Sequence, residues 1–400
     1  MKLVKFGGSS CASAEQFKKV REIVFSDPAR RYVVVSAPGK RFPKDEKVTD
    51  LLYLLYEDLR EGRGMERQLP KIERRYQEII DGLSLSLSLE EDFREIRERL
   101  LAGESCAYAA SRGEYLNAKL MAEYLGFPFL DAGELIAFRP DGECDFRETE
   151  RRVGERLRDM EKAVIPGFYG LDPEGRTVTF SRGGSDVTGS LIAAGLHADL
   201  YENWTDVSGF LVADPRIVRK PEVIDYITYR ELRELSYMGA SVLHEDAIFP
   251  VRKEGIPIQI KNTNRPEDHG TMIVANTLKK PRFIITGIAG KKNFCSINIE
   301  KAMMNSEIGF IRKVLSVIEE NGISVEHTPS GIDTMTLFIH QEELISNEQK
   351  VLQGIQRAVN PDLIELEADL ALIAVVGRGM KSARGVAGRV MSALAHDYIN

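Results

Sequence analysis

The stretch Thr177–Val–Thr–Phe–Ser–Arg182–Gly–Gly–Ser–Asp186–Val–Thr–Gly189 decides how this chain is read. A β-type run (Thr177, Val178, Thr179, Phe180) stops at a glycine pair, and an apolar helical pattern follows at Leu191, Ile192, Ala193 and Ala194. Strand, tight glycine turn and helix start together make an anion site. Glycine lets backbone N–H groups approach a ligand, and a helix N-terminus carries partial positive charge. Arg182 and Asp186 add one fixed cation and one acid to the same turn. For a lone Gly-Gly, a purely structural strand-to-helix turn is the better reading. A second loop of the same make tips the balance toward the anion site.

That second loop is Leu3–Val–Lys5–Phe–Gly7–Gly8–Ser9–Ser10, again a short apolar strand, a glycine pair, hydroxyls and then a helical pattern at Phe17, Val20, Ile23 and Val24. Lys5 stands in the strand just ahead of the turn, where a lysine faces either solvent or a phosphate. No GxxxxGK[ST] occurs in the chain, so a P-loop fold is disfavoured.

Around these loops the organisation is legible. Residues 1–37 read as strand, loop, helix and strand, with Tyr32–Val35 the second strand. Residues 46–126 are mainly helical, carried by the stripe Leu51, Leu52, Leu54, Leu55 and Leu59. Ser84–Leu89 alternates Ser and Leu like a strand, but its helical flanks and the acidic Glu90–Asp92 predict a helix–helix connection with an N-cap. From Phe127 to Met272 strands alternate with helices, which predicts an α/β fold with a mainly parallel sheet covered on both faces.

Pro281 marks a boundary. Strands at Phe283–Ala289, Ser296–Glu300, Ile323–His327 and Met335–His340 and helices at Ile308–Asn321 and Glu342–Val359 follow, in the βαββαβ order of a ferredoxin-like module. Strand Ala371–Val376 and helix Ala387–His396 open a second copy, which is incomplete at Asn400. The expected domains are therefore 1–280, 281–370 and the partial 371–400. The turn Val376–Gly–Arg–Gly–Met–Lys–Ser imitates a dinucleotide fingerprint. It lacks the third glycine and the ~30 residues of a βαβ unit, so it reads as a strand–loop–helix turn.

Composition narrows the function. At 400 residues, the chain implies two or three domains. An apolar content of 43% and a charged content of 29% fit a globular protein in water. A net charge of −7 argues against nucleic acid as a partner. The four cysteines (Cys11, Cys106, Cys144, Cys295) show no CxxC spacing, which excludes a thiolate zinc site and fits a reducing cytoplasm. Cys11 follows the first glycine loop with no histidine near it in sequence, so it reads as a small helix-start residue. Met-Lys leads directly into a strand and no run of 18 apolar residues occurs, so neither a signal peptide nor a membrane partner is expected.

KFGGSS at the N-terminus, SRGE at Ser111–Glu114, SRGGSD at Ser181–Asp186, WTDVSG at Trp204–Gly209 and ADPR at Ala213–Arg216 together resemble the aspartate kinases of the amino-acid kinase superfamily. The likeness runs in order from Lys5 to about Met272 and resumes in a half that resembles ACT regulatory modules. It implies transfer of the ATP γ-phosphate to the side-chain carboxylate of L-aspartate, with Mg²⁺ carried by ATP, at the head of lysine, threonine and methionine synthesis. It also implies feedback by an amino acid, lysine first, and a homodimer or homotetramer built through the ACT modules.

The same resemblance implies roles. Lys5 is the cation on the transferring phosphate and Asp186 orients it; Gly7, Gly8, Ser9, Gly183 and Gly184 surround the phosphates. Arg182 forks onto the substrate carboxylate and Glu114 meets its ammonium, with Ser36, Thr49 and Ser185 nearby. Thr205, Asp206, Asp214 and Arg216 belong to the nucleotide side. Met303, Ser306, Gly309, Phe310 and Glu326 form the effector site, with no dedicated metal site. The plain alternatives are a solvated Lys5, Asp186 as a helix cap, Glu114 as a dipole-favoured helix residue, Trp204 as core, Met303 and Met304 as core, and Glu326 as a solvated strand residue. Three departures stand out: Ser241 where the family often has Lys, Leu211 where it often has an aromatic, and one extra residue between Ser306 and Gly309. Two alternatives stay open, another amino-acid kinase and a catalytically weak amino-acid sensor.

Overall fold

The computed structural model describes residues 1–181, 183–239, 243, 247–276 and 283–399. Strand β1 (Lys2–Phe6) has Leu3, Val4 and Phe6 all fully buried. Burial on both faces marks an interior strand of a parallel sheet, and β1 pairs in parallel with β2 (Arg30–Val35) on one side. On the other it pairs in parallel with β6 (Leu200–Thr205).

Between these strands run α1 (Ala14–Phe25), α2 (Val48–Arg60), α3 (Leu69–Leu83), α4 (Glu90–Leu101), α5 (Cys106–Leu125), α6 (Phe146–Leu157), β3 (Ala163–Pro166), β4 (Tyr169–Leu171), β5 (Thr177–Thr179) and α7 (Gly184–Gly195). After β6 come β7 (Tyr226–Thr228), α8 (Tyr229–Tyr237), α9 (Phe249–Lys253), β8 (Ile258–Asn262) and β9 (Thr271–Val274). The seven-stranded sheet has the order β3-β2-β1-β6-β8-β9-β7. It is parallel except at β8–β9.

Val4, Phe6, Val33, Val35 and Trp204 point into a core built with the helices α1–α5. Trp204 is 1% exposed and stacks on Phe6 at 6.0 Å. The Ser-Leu repeat is the expected connection between α3 and α4. The cap differs: Leu89 takes the N-cap position, and the Ser88 hydroxyl accepts only from the Glu90 N–H. No helix among the described residues is long and apolar enough to cross a membrane.

The chain divides into two compact units, Met1–Gly287 with Val376–Asn400, and Ile288–Val375. The second contains β10 (Gly287–Glu300), α10 (Phe310–Glu320), β11 (Thr334–His340), α11 (Gln341–Ile345), α12 (Glu348–Val359) and β12 (Leu363–Val376), strands whose end residues touch the division. Its sheet has the order β11-β10-β12. The strands and helices differ here from those expected: the helix expected at 342–359 is two, α11 and α12, and the strand expected at 371–376 is the end of β12. The end of the strand expected at 283–289 and the strand expected at 296–300 are one long strand, β10, which starts only at Gly287. Residues 323–327 make only a bridge from His327 to Phe338, with Glu326 N–H on the Phe338 carbonyl. The last helix, α13 (Val386–His396), groups with the first unit, as does the turn before it. That turn holds Arg378, whose N–H and guanidinium both bond Glu231 on α8.

Candidate active site

In a parallel pair, residues in register project to the same face. Lys5 is in register with Asn203 on β6, so both side chains point the same way. They converge on Asp186, in the first turn of α7. Lys5 Nζ lies 2.5 Å from Asp186 Oδ1 and Asn203 Nδ2 donates to the same oxygen at 2.7 Å. Lys5 is only 6% exposed. A buried ammonium needs such a counter-charge, which rules out the solvated reading of this lysine.

The two glycine turns flank that pair. Gly8 and Ser9 open a short 3₁₀ turn, Gly8–Cys11, whose leading N–H groups have no partner inside the turn. One expectation needs correcting: the Gly7 N–H donates to the Trp204 carbonyl at 2.9 Å, so it is committed to the sheet and does not reach a phosphate. Gly8 touches a second glycine, Gly39, whose N–H donates to the Gly8 carbonyl at 2.8 Å. A Cβ on Gly39 would fall 2.5 Å from the Gly8 carbonyl carbon.

At the other turn Gly183 caps α7 with φ 59°, a left-handed conformation that favours glycine. A Cβ on Gly184 would fall 2.5 Å from the Phe168 ring. The strand feeding this turn, β5, pairs with β4 in a separate two-stranded ribbon and not in the main sheet. Arg182 lies outside the described residues.

Glu114 sits on α5 and is 5% exposed. Gly113 permits the approach: its Cβ would lie 2.9 Å from Ala37 Cβ. Burial pushes the Glu114 carboxyl up to about 8, against the downward pull of the Ala37 N–H and the Lys5 charge. One of its oxygens, Oε2, is buried without a partner. Next to it the Arg112 guanidinium lies among the rings of Tyr115, Tyr108 and Tyr169 at 4.4, 4.6 and 5.3 Å.

Ser36 follows β2, its N–H on the Phe6 carbonyl at 3.1 Å, and Thr49 is in the first turn of α2. Ser185, in the first turn of α7, is 7% exposed. Thr205 ends β6 and donates to Asp206 at 3.3 Å. Asp214 and Arg216 bind each other at 2.6 Å, with Arg216 85% exposed. Leu211 is half-buried and bridges Val223; Ser241 lies outside the described residues.

In the second unit Met303 is 69% exposed with φ 60°, whereas Met304 is core. Gly309 caps α10 in the left-handed region. Phe310 is 2% exposed and belongs to the module's core, so its side chain is structural, a correction to its place among effector contacts. Ser306 donates to Asn305, and Glu326 is half-buried.

Sequence reasoning missed Asn203, Asn117 and the turn Pro166–Gly–Phe–Tyr–Gly170. Phe168 has φ 81°, and its N–H donates to the Thr188 hydroxyl at 3.0 Å, which ties this turn to α7. The signals were present: an amide directly ahead of Trp204 in a strand for Asn203, and a polar residue three positions after Glu114 for Asn117. Among the described residues, no three His, Cys, Asp or Glu side chains gather as a metal site.

Comparison with known proteins agrees with this geometry. The amino acid kinase family matches residues 1–262. Aspartokinase 3 of Bacillus subtilis is 43% identical over 418 aligned residues, covering 100% of this chain and 91% of that protein. A crystal structure of Clostridium acetobutylicum aspartate kinase, described as an allosteric enzyme, superposes with a TM-score of 0.94 at 50% identity, covering 100% of this chain and 92% of that one. Escherichia coli aspartokinase III is 26% identical, solved with aspartate and ADP (TM-score 0.74, covering 98% and 91%) and with lysine and aspartate (TM-score 0.73, covering 100% and 92%). This chain therefore belongs to the amino acid kinase family and, within it, to the aspartokinases.

Proposed function

We propose that this protein transfers the γ-phosphate of ATP to the side-chain carboxylate of L-aspartate, giving 4-phospho-L-aspartate and ADP. The observation that carries the reading is the pair of buried Lys5 and half-buried Asp186 between two glycine turns. A carboxylate oxygen forms the new P–O bond, the bridging P–O bond to the β-phosphate breaks, and ADP leaves with that electron pair. No proton has to be removed, because the attacking carboxylate is already ionised. The enzyme's task is alignment and neutralisation of charge.

Lys5 supplies the cation at the transferring group, and Asp186 and Asn203 hold it in place. The N–H groups of Gly8, Ser9, Gly183 and Gly184 approach the phosphates. Arg182 forks onto the α-carboxylate of aspartate and Glu114 accepts its ammonium, with Ser36, Thr49 and Ser185 beside them. An ammonium at Glu114 displaces the proton that burial holds on its carboxyl. Thr205, Asp206, Asp214 and Arg216 line the nucleotide side. The residues fit Mg²⁺ brought by ATP, since that ion takes one or two carboxylates together with substrate phosphates and water. Asp186, in the first turn of α7, and Asp206, after β6, would hold the ion, which would neutralise phosphate charge.

Residues 1–280 are read as catalytic, 281–370 as the first ACT module and 371–400 as the start of a second. Lysine is the proposed inhibitor, acting at Met303, Ser306, Gly309 and Glu326. The lysine-bound complex of the E. coli relative supports that choice. A homodimer or homotetramer in the cytoplasm, at the head of lysine and threonine synthesis, completes the reading.

The test is an assay of ADP release with hydroxylamine trapping of the acyl phosphate, run against a panel of amino acids. Turnover and trapping with L-aspartate are expected. Preference for a different acid would make the protein another amino-acid kinase, and lysine binding without turnover would make it a sensor.

A further inference from the structure

Glu114 and Asn117 stand one turn apart on α5, and both reach the same peptide unit. Asn117 Nδ2 donates to the Ser36 carbonyl oxygen at 2.6 Å. The N–H of that same unit, belonging to Ala37, faces the Glu114 carboxylate and favours its ionised form. In a trans peptide the C=O and N–H point in opposite directions. The two side chains therefore grip one peptide plane from its two edges.

The plane is also held from behind, by Ser36 N–H on the Phe6 carbonyl at 3.1 Å. Asn117 is 0% exposed, and the buried Cys11 thiol lies against its amide. The grip leaves Glu114 Oε2 buried and unpartnered, as it does Asn117 Oδ1. Buried carboxylate oxygens are ordinarily satisfied, and of the two open atoms only the carboxylate oxygen offers a charge to a donor from outside the protein.

We propose that Asn117 is the positioning residue for amine recognition. By fixing the Ser36–Ala37 peptide it sets the Glu114 carboxylate so that Oε2 meets the ammonium group of the substrate. The inference rests on the role of Glu114 given above. It explains why an amide occupies this position. Leucine would leave the Ser36 carbonyl without a donor, and aspartate would set a second carboxylate beside Glu114 and against that carbonyl.

The experiment separates recognition of the amine from everything else. KM for L-aspartate, Ki for succinate (the same diacid without the amine), KM for ATP and Tm are measured for wild type, Asn117→Ala and Glu114→Gln. In Asn117→Ala the aspartate KM should rise roughly tenfold, the loss expected when one charge-assisted contact is weakened. Succinate Ki and ATP KM should stay within about twofold. Asn117→Ser, which keeps a hydroxyl donor, should recover part of the loss, and it carries the test if the alanine variant does not fold. Aspartate and succinate weakened equally would show a structural role only and overturn the proposal. An unchanged aspartate KM in Asn117→Ala beside a raised one in Glu114→Gln would also overturn it while leaving Glu114 in place. An unchanged aspartate KM in Glu114→Gln would instead remove Glu114 from amine binding, and this proposal with it.

Discussion

Lys5 Nζ and Asp186 Oδ1 meet at 2.5 Å, although one lies on the first strand and the other in a helix more than half of the first unit's length later. Because Asn203 donates to the same carboxylate oxygen, the aspartate keeps a partner if the lysine is removed. Lys5→Ala should therefore fold normally and lose kcat by ~10²–10³, the range for removing one preorganised electrostatic donor. Steady-state kinetics beside a melting curve decide it; an unchanged kcat in a folded variant takes Lys5 out of the mechanism.

Glu114 makes stability depend on pH. Its carboxyl is raised from 4.5 to about 8 in the fold. A raised acid binds more protons folded than unfolded, so its contribution is full below pH 4.5 and is lost as pH climbs to 8. Glu114→Gln, which cannot ionise, should gain Tm relative to wild type steadily between pH 5 and pH 8 without substrate. A Tm difference that stays flat over that range would show that the carboxyl is ionised throughout.

Glu231 works the other way. Its carboxylate accepts from Thr228, Thr286, the Arg378 N–H and the Arg378 guanidinium, and these bonds outweigh burial and hold it down at about 2. Its stabilisation is present above pH 4.5 and fades as pH falls toward 2. Glu231→Gln should lower unfolding free energy at pH 7 by ~1–3 kcal/mol, the range for leaving buried partners unsatisfied. Urea denaturation reads it, and wild-type stability in Glu231→Gln would rule out a structural role for this tie.

Gly39→Ala probes the first glycine turn. The added Cβ would press on the Gly8 carbonyl carbon at 2.5 Å, backbone against which nothing flexible gives way. KM for ATP should rise severalfold and more than KM for aspartate. Gly154→Ala is the control: its Cβ meets nothing within 4 Å, and alanine in a helix gains about 0.5–1 kcal/mol over glycine. Equal kinetics for both variants would separate the Gly8–Gly39 contact from phosphate binding.

Control by lysine is tested at Glu326, whose N–H is tied to β11 and whose side chain is half-buried. Lysine should inhibit, and Glu326→Ala should relieve that inhibition without lowering uninhibited kcat. A coupling of ~1–3 kcal/mol would correspond to a shift of 5–150-fold in lysine affinity. Calorimetry showing equal lysine binding in both proteins would exclude Glu326 from the effector site.

The two glycine loops, the α/β order and the helical block were legible because each is a local pattern: Gly-Gly after an apolar strand, or a leucine stripe at helical spacing. What the residues concealed was set by distant partners. Nothing near Gly7 in sequence reveals that its N–H is taken by Trp204. Nothing around Thr177–Thr179 reveals that this strand leaves the main sheet for a ribbon with β4. Phe310 carries the apolar character of a ligand contact and of a core residue alike, and only packing against β10 and β11 separates them. Asn117 was overlooked because its meaning lies in a peptide unit on another element.

Strand β1 sits in the middle of its sheet, between β2 and β6. During synthesis β2 leaves the ribosome soon after β1, but β6, like Asp186, emerges only after some two hundred residues. Through that interval the nascent chain carries a two-sided apolar strand with one open edge, the kind of surface that recruits wrong partners. Closing it is a long-range event and hence a slow one. Translation speed and chaperone supply thus bear on the yield of this protein, and the same late event that closes the open edge of β1 also brings Asp186 to Lys5.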